Sequence, residues 1–406
     1  MDRSASRPAI EPTRPGGARY EEMRERALSL VKSFATRAEE AERLRQMPPD
    51  NIHALHETGL FRMLQPARVG GSELDYDCLV DMGAIIARGC ASTAWTMTNL
   101  ASHHWMVAMF PPETQDRVWG EDPDAMIASA FIFPAGRAQR TNDGYRLSGR
   151  WAFSSGVDPS QWNLIGGVVA PDDGGTPHSR VFLLHRSQYE IVDTWHATGL
   201  KGTGSNDVVC DDVFVAEAMT VAADDLKGGP TPGSERNPSA LYRLPVFALF
   251  PLILSGIGLG LAEVAYTTYL GSIRERASKF TGARLAELQS TQIKIGTVES
   301  RIDVARRAML GICAEAMADA RADRIPDLET RMRYRRDVCF ATNLCTEAVD
   351  MINLGFGAEA LFTDRPLQRY FRDAHAVASH IAFNMDVAAS AHGRVAIGLD
   401  TTHPTV

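Results

Sequence analysis

The period of the apolar positions changes twice along the chain. Over residues 20–121 Glu, Ala, Arg and Leu recur with helical spacing, and Pro48, Pro49 and Asp50 mark a helix start with Asp50 as the expected cap. Over residues 126–221 the texture becomes strand-like. Tyr145, Leu147, Trp151 and Phe153 share one parity after an Asn142-Asp143-Gly144 turn, which predicts a hairpin strand with one buried face. Further strand-like runs cover 164–170, 181–184, 190–195 and 208–215. Residues 227–238 form a Gly/Pro/Ser-rich connector, and the chain is helical again beyond Pro251. There Val298, Ile302, Ala305, Met309, Ile312 and Ala316 step by four and three in turn, a seam for helix-on-helix packing.

The expected organisation is a disordered leader (1–19), an N-terminal helical domain (20–125), a central β domain of antiparallel strands forming a barrel or sandwich (126–238) and a C-terminal four-helix bundle (239–406). This is an α+β protein. Strands and helices do not alternate, which argues against Rossmann and TIM-barrel folds. Residues 244–262 carry no charge but hold Pro245, Pro251, Gly256, Gly258 and Gly260, and read as a buried helix preceded by an apolar loop rather than a membrane span. The three glycines do not match a dinucleotide loop and suit close helix packing.

At 406 residues the chain has room for two or three units of ~150. Lys+Arg is 42 against Asp+Glu 50, and no basic block is long enough to track a phosphate backbone, so nucleic acid is not an expected partner. Six cysteines without a C-x-x-C pair suit neither a zinc site nor a disulfide framework and point to a reduced cytoplasm. His53 and His56 lack an identifiable third ligand, and the run Arg331 to Arg336 reads as a solvated helix face.

Four segments carry candidate chemistry. Ser92-Thr93-Ala94-Trp95 is followed by His103-His104-Trp105; the two histidines point ~100° apart on a helix, so one at most faces a given pocket. Gly149 to Gly156 (GRWAFSSG) is an aromatic strand ending in two hydroxyls. Thr198 to Ser205 (TGLKGTGS) places three glycines among small hydroxyl residues, where backbone N–H groups can approach a ligand. Pro366 to Asp373 (PLQRYFRD) precedes His375 and His380, and the seven-residue step from Asp373 predicts that His380 shares its helix face.

In this order the four segments resemble the acyl-CoA dehydrogenase fold, and in detail its branch of two-component flavin-dependent monooxygenases (oxygenase components), over about residues 20–399. The resemblance implies reduced FMN or FAD, diffusing from a separate flavin reductase, and O2 reacting through a C4a-hydroperoxide to hydroxylate a small aromatic phenol or indole. It implies a homotetramer. Ser154 or Ser155 would meet flavin N5. Trp151, Gly202, Thr203, Gly204, Ser205, Arg276 and Phe280 would border the flavin, Arg276 across a subunit boundary, with Trp151, Phe153 and Trp195 as walls. His103, His380 and Trp105 would line the substrate pocket, with His380 accepting a hydrogen bond as general base. No metal is implied.

Competing readings are an FAD-dependent acyl-CoA dehydrogenase, an N- or S-oxygenase on the same scaffold, and a non-catalytic binding protein. A dehydrogenase of this fold carries a glutamate base just before the proline of the last motif. Here that place holds Asp364, one methylene shorter and followed by Arg365.

Overall fold

The computed structural model describes residues 17–170, 176–278 and 281–401. Residues 1–16 of the expected leader lie outside this range, and its last three open the first helix. Helices α1 (Gly17–Thr36), α2 (Ala38–Leu44), α3 (Pro49–Thr58), α4 (Cys78–Ala87), α5 (Ala91–Val107) and α6 (Pro112–Glu121) come first. Pro48, not Asp50, precedes α3: Pro49 takes the first helical position, where a missing N–H loses nothing and its fixed φ is already helical.

Eight strands follow: β1 (Ile127–Ala130), β2 (Gly136–Arg140), β3 (Gly144–Ser154), β4 (Trp162–Ala170), β5 (His178–His185), β6 (Glu190–Val192), β7 (Asn206–Ala216) and β8 (Thr220–Ala222). They form one sheet in the order β6-β7-β3-β2-β4-β5-β8, with β1 also on β4. The sheet is mixed, which corrects the antiparallel expectation. β1 pairs in parallel with residues 162–165 of β4 and β2 in parallel with residues 168–170, so the two lie end to end along the same side of β4, interrupted at Phe131 to Ala135. Side-chain parity reports which face is buried and says nothing of strand direction, so the pattern alone could not show this.

β3 departs from its expected parity as well. Tyr145, Leu147 and Trp151 are fully buried, but Phe153 is 63% exposed. The register against β7 shifts between Trp151 and Ser154, and Phe153 adopts φ 67°. This bulge turns Phe153 outward and Ser154 inward.

The C-terminal helices are α7 (Val246–Glu275), α8 (Gln289–Arg321), α9 (Leu328–Phe356), α10 (Leu367–Ala378) and α11 (Met385–Ala396). Among the described residues α7 alone is long and apolar enough to cross a membrane, and 89% of its most apolar stretch is buried inside the molecule. It lies against α4 so closely that a methyl group on Gly256 or Gly260 would overlap the carbonyls of Val80 and Ala84. Pro251 within α7 has no N–H to offer the Phe247 carbonyl one turn earlier. Arg335 of α9 donates Nη1 to that oxygen at 2.6 Å. The Arg331–Arg336 run is therefore not a solvated face: Met332 and Tyr334 are buried, Arg333 pairs with Glu315, and Arg335 repairs the helix. All six residues of the seam on α8 are buried.

Candidate active site

α5 is buried along its whole length, and Ser92, Trp95, Asn99 and His103 recur on one face at steps of three and four. That face meets the end of β3. Gly156, at φ 69°, lies so near Thr96 that a Cβ there would fall 2.6 Å from its methyl group. Beyond the bulge the two serines diverge. Ser154 is fully buried and accepts a hydrogen bond from Asn163 Nδ2 at 3.0 Å. Ser155 accepts from Trp95 Nε1 at 3.0 Å and contacts Ser205 Oγ at 2.7 Å. Ser205 in turn contacts Thr203 Oγ1 at 2.7 Å, and Thr203 donates to the Leu200 carbonyl at 3.0 Å. The F-S-S-G and G-L-K-G-T-G-S motifs are thus joined by one line of hydroxyl groups.

Beside this line stands a wall of rings. Trp95 meets His380 edge-on at 5.7 Å between centroids, and His380 lies 6.4 Å from Phe250. Phe250 meets Phe131 at 5.8 Å, and Phe131 meets His103 at 6.2 Å. His103 and His380 therefore belong to one aromatic surface, contributed by α5, the β1–β2 break, α7 and the segment after α10. His380 does not reach it as expected. α10 ends at Ala378, and His380 caps a separate 3-10 turn, Ile381–Phe383, by accepting the Ala382 N–H on Nδ1 at 3.1 Å. The helical spacing from Asp373 does not apply across that break.

The histidines differ in what they can offer. His103 is fully buried, and its Nδ1 bonds the Ile127 carbonyl, so Nδ1 carries the hydrogen and Nε2 is left as an acceptor without a partner. Burial pushes its pKa down to about 4. His380 is pushed down to about 4 by burial, helped by the Arg335 cation. Because Nδ1 of neutral His380 already accepts, its Nε2 bears the hydrogen and can only donate. This reverses the expectation that His380 is the acceptor. His104 is a core residue whose Nδ1 accepts from Trp119 Nε1 at 3.1 Å.

Trp151 and Trp105 lie elsewhere, whereas Gly202 and Gly204 belong to the loop that carries the hydroxyl line. Trp151 is buried inside the sheet, donating to the Gly166 carbonyl at 2.7 Å, and Trp105 donates to the Leu241 carbonyl at 2.7 Å while packing on Tyr76. Gly202 is wedged against Ala41 and gives its N–H to Ser92 Oγ at 3.1 Å. Gly204 takes φ 56°. Arg276 follows the end of α7, pairs with Glu359 at 3.3 Å and lies over Phe356, with its buried Nη1 unpartnered. Phe280 lies outside the described residues. Asp364 sits in an exposed turn, and His375 pairs with Asp350 at 2.9 Å away from the ring wall. Phe131, Phe250 and the role of Trp95 were not expected; the first two have no local motif, and only the fold brings them together.

The residues present fit a flavin. Exposed Phe153 lies 6.3 Å from Trp195, two flat apolar surfaces near Ser155. The hydroxyl line can meet a heteroaromatic edge, and the ring wall provides a dry adjoining surface.

The models "Acyl-CoA dehydrogenase, N-terminal domain" and "Acyl-CoA dehydrogenase, C-terminal domain" match residues 18–121 and 252–385. The chain is 36% identical, over 93% of its length and 99% of the relative, to the flavin-dependent monooxygenase oxygenase subunit HsaA of Rhodococcus jostii. It is 33% identical, over 92% of its length and 94% of the relative, to the oxygenase component of the FADH2-dependent resorcinol hydroxylase of a Rhizobium species. The crystal structure of 3-HSA hydroxylase from Rhodococcus sp. RHA1 superposes with a TM-score of 0.89 at 35% identity, covering 95% of this chain and 99% of that one. The chain belongs to the acyl-CoA dehydrogenase family, within its branch of flavin-dependent monooxygenase oxygenase subunits.

Proposed function

We propose that this protein is the oxygenase component of a two-component system that takes reduced flavin, FMN or FAD, from a separate reductase and uses O2 to hydroxylate a small phenolic or indolic substrate. The observation that carries this reading is the pairing of an unpartnered His103 Nε2 with a ring wall continuous with the Ser155 hydroxyl line. When bound, reduced flavin supplies the activation of oxygen. The residues of the chain do the rest. The rings bind a flat substrate and exclude water. Neutral His103 accepts a hydrogen bond from a substrate O–H or N–H at Nε2, which raises the electron density of the ring. His380 donates from Nε2 toward the oxygen being transferred, and Ser155 orients the flavin at N5.

The dehydrogenase reading finds no support at Asp364, which sits in an exposed turn. The exposed Leu354, Leu361 and Phe362 support a homotetramer, in which the exposed part of the Arg276 side chain is available to a neighbour's flavin. Six free, buried cysteines suit work in the cytoplasm.

The test mixes protein with reduced FMN or FAD anaerobically, adds ¹⁸O2-equilibrated buffer and a panel of phenols and indoles, and measures labelled product by mass spectrometry. Labelled hydroxylated product is expected from at least one phenol or indole. Flavin consumption with no incorporation from either flavin would overturn the reading.

A further inference from the structure

Asp373 of α10 is 3% exposed, and its Oδ1 accepts the backbone N–H of Leu200 at 2.7 Å. Leu200 stands at φ 49°, a left-handed conformation that a leucine keeps only where its surroundings over-determine it. The same stretch is fastened on either side: Arg372 Nη1 donates to the Thr198 carbonyl, and Gly199 lies so close to the Arg372 carbonyl that no Cβ would fit.

The carbonyl of Leu200 is also where the hydroxyl line ends. A hydroxyl has one hydrogen. Thr203 commits its hydrogen to Leu200 O, which can only accept, so Ser205 must donate to Thr203 and Ser155 must donate to Ser205. Ser155 also receives Trp95 Nε1, and is left with one lone pair and no free hydrogen. The Leu200 carbonyl therefore sets the direction of the whole line, and the Leu200 N–H held by Asp373 belongs to the peptide before it.

We propose that Asp373 is a positioning residue: by holding Leu200 it fixes the polarity of the hydroxyl line, so that Ser155 presents only an acceptor and the site favours reduced flavin, whose N5 bears a hydrogen, over oxidised flavin, whose N5 bears a lone pair. The proposal rests on the flavin reading above. The groups facing Asp373 are Glu42 from α2, Arg369 and Arg372 of α10, and the Cys90 thiol before α5. Burial, helped by Glu42, pushes the carboxyl up to about 6 against the pull of the Leu200 N–H and the two arginines. The ionised carboxylate is the stronger acceptor, so the preference for reduced flavin should rise as pH increases through about 6.

The experiment measures anaerobic binding of reduced and oxidised flavin from pH 5 to 8 for wild type, Asp373→Asn, Ser155→Ala and the double variant, and follows amide exchange at Leu200 in flavin-free protein. Asp373→Asn is close to isosteric and keeps an oxygen for Leu200. It should lower the reduced-to-oxidised affinity ratio by about tenfold, the scale of a hydrogen bond to a charged group, and flatten its pH dependence. It should also speed exchange at Leu200 without changing β3 and β7. The double variant should lose no more of the ratio than Ser155→Ala alone, because Asp373 acts through Ser155. An unchanged ratio in folded Asp373→Asn, or additive losses, would overturn the proposal. Wild-type protein that binds neither form would instead overturn the flavin reading, and that result is obtained before any variant is compared.

Discussion

Ser154 and Ser155 are neighbours in sequence that face different environments, and their replacements should separate cleanly. Ser155→Ala removes the hydroxyl proposed to meet flavin N5, so peroxide released per reduced flavin should rise about fivefold, the scale of one neutral hydrogen bond. Ser154→Ala should leave that ratio unchanged and lower the unfolding free energy by about 1 kcal/mol or more, because Asn163 Nδ2 is left buried without its partner. Coupled peroxide and product assays with thermal melts check both. The histidines make a second pair. His103→Ala removes the acceptor and should lower hydroxylation about 10²-fold or more, and His380→Ala should waste flavin as peroxide while substrate still binds. The depressed pKa of His103 sets the pH limit. The folded form holds it neutral down to about 4, so its acceptor role persists at pH 5 and fails as pH falls through 4. The same sign governs stability: His103 contributes fully above its unfolded value of ~6.5, and that contribution disappears between there and about 4. In Asp373→Asn, where the carboxyl no longer titrates, hydroxylation that still falls with an apparent pKa near ~6.5 would contradict the assignment.

At the scale of elements, the proline in α7 and the arginine in α9 act as one unit. Arg335→Leu strips the Phe247 carbonyl of its donor and should cost about 1–3 kcal/mol. Adding Pro251→Ala supplies the missing N–H from within the helix, so the double variant should recover part of the loss; denaturant unfolding of the four proteins measures the coupling. Nothing in the local pattern of the RMRYRR run points to this partner, since Phe247 lies 88 residues away. The helices were legible because their periodicity is local: the steps from Val298 to Ala316 mark the buried face of α8 as it stands. The end of β3 was not, because a bulge inserts one residue and reverses which of Phe153 and Ser154 is buried. Likewise the spacing that put His380 on the face of Asp373 assumed a continuous helix, and the chain leaves that helix two residues too early. The order of the motifs, by contrast, survived. Local loop composition marked the GLKGTGS segment, and the fold joins it to FSSG through hydroxyl groups that both motifs already contain.

At the scale of the molecule, the C-terminal helices leave large apolar side chains uncovered. Leu354 is 78% exposed and Leu361 72%, with Phe362 and Phe340 also exposed. If the proposed tetramer forms through these side chains, Leu354→Glu with Leu361→Glu should shift sedimentation toward smaller species, and should weaken flavin binding in step if Arg276 completes a neighbour's site. Dissociation with unchanged flavin affinity would confine Arg276 to its own subunit.

The close seating of α7 on α4 also bears on how the protein is made. As the ribosome delivers α7, the chain exposes a segment long and apolar enough to cross a membrane, before α8, α9 and α10 exist to cover it. α4 and α5 have already been synthesised and both pack on α7, with α4 supplying the surface against which Gly256 and Gly260 dock. With vectorial synthesis, the N-terminal helices should act as a built-in chaperone for the helix that follows. Gly260→Leu, which blocks that docking at the Ala84 carbonyl, should divert nascent chains to the membrane fraction during translation in the presence of microsomes, whereas the wild-type sequence should remain in the supernatant. Equal partitioning of the two would show that α7 is shielded by some other means while it waits for its later partners.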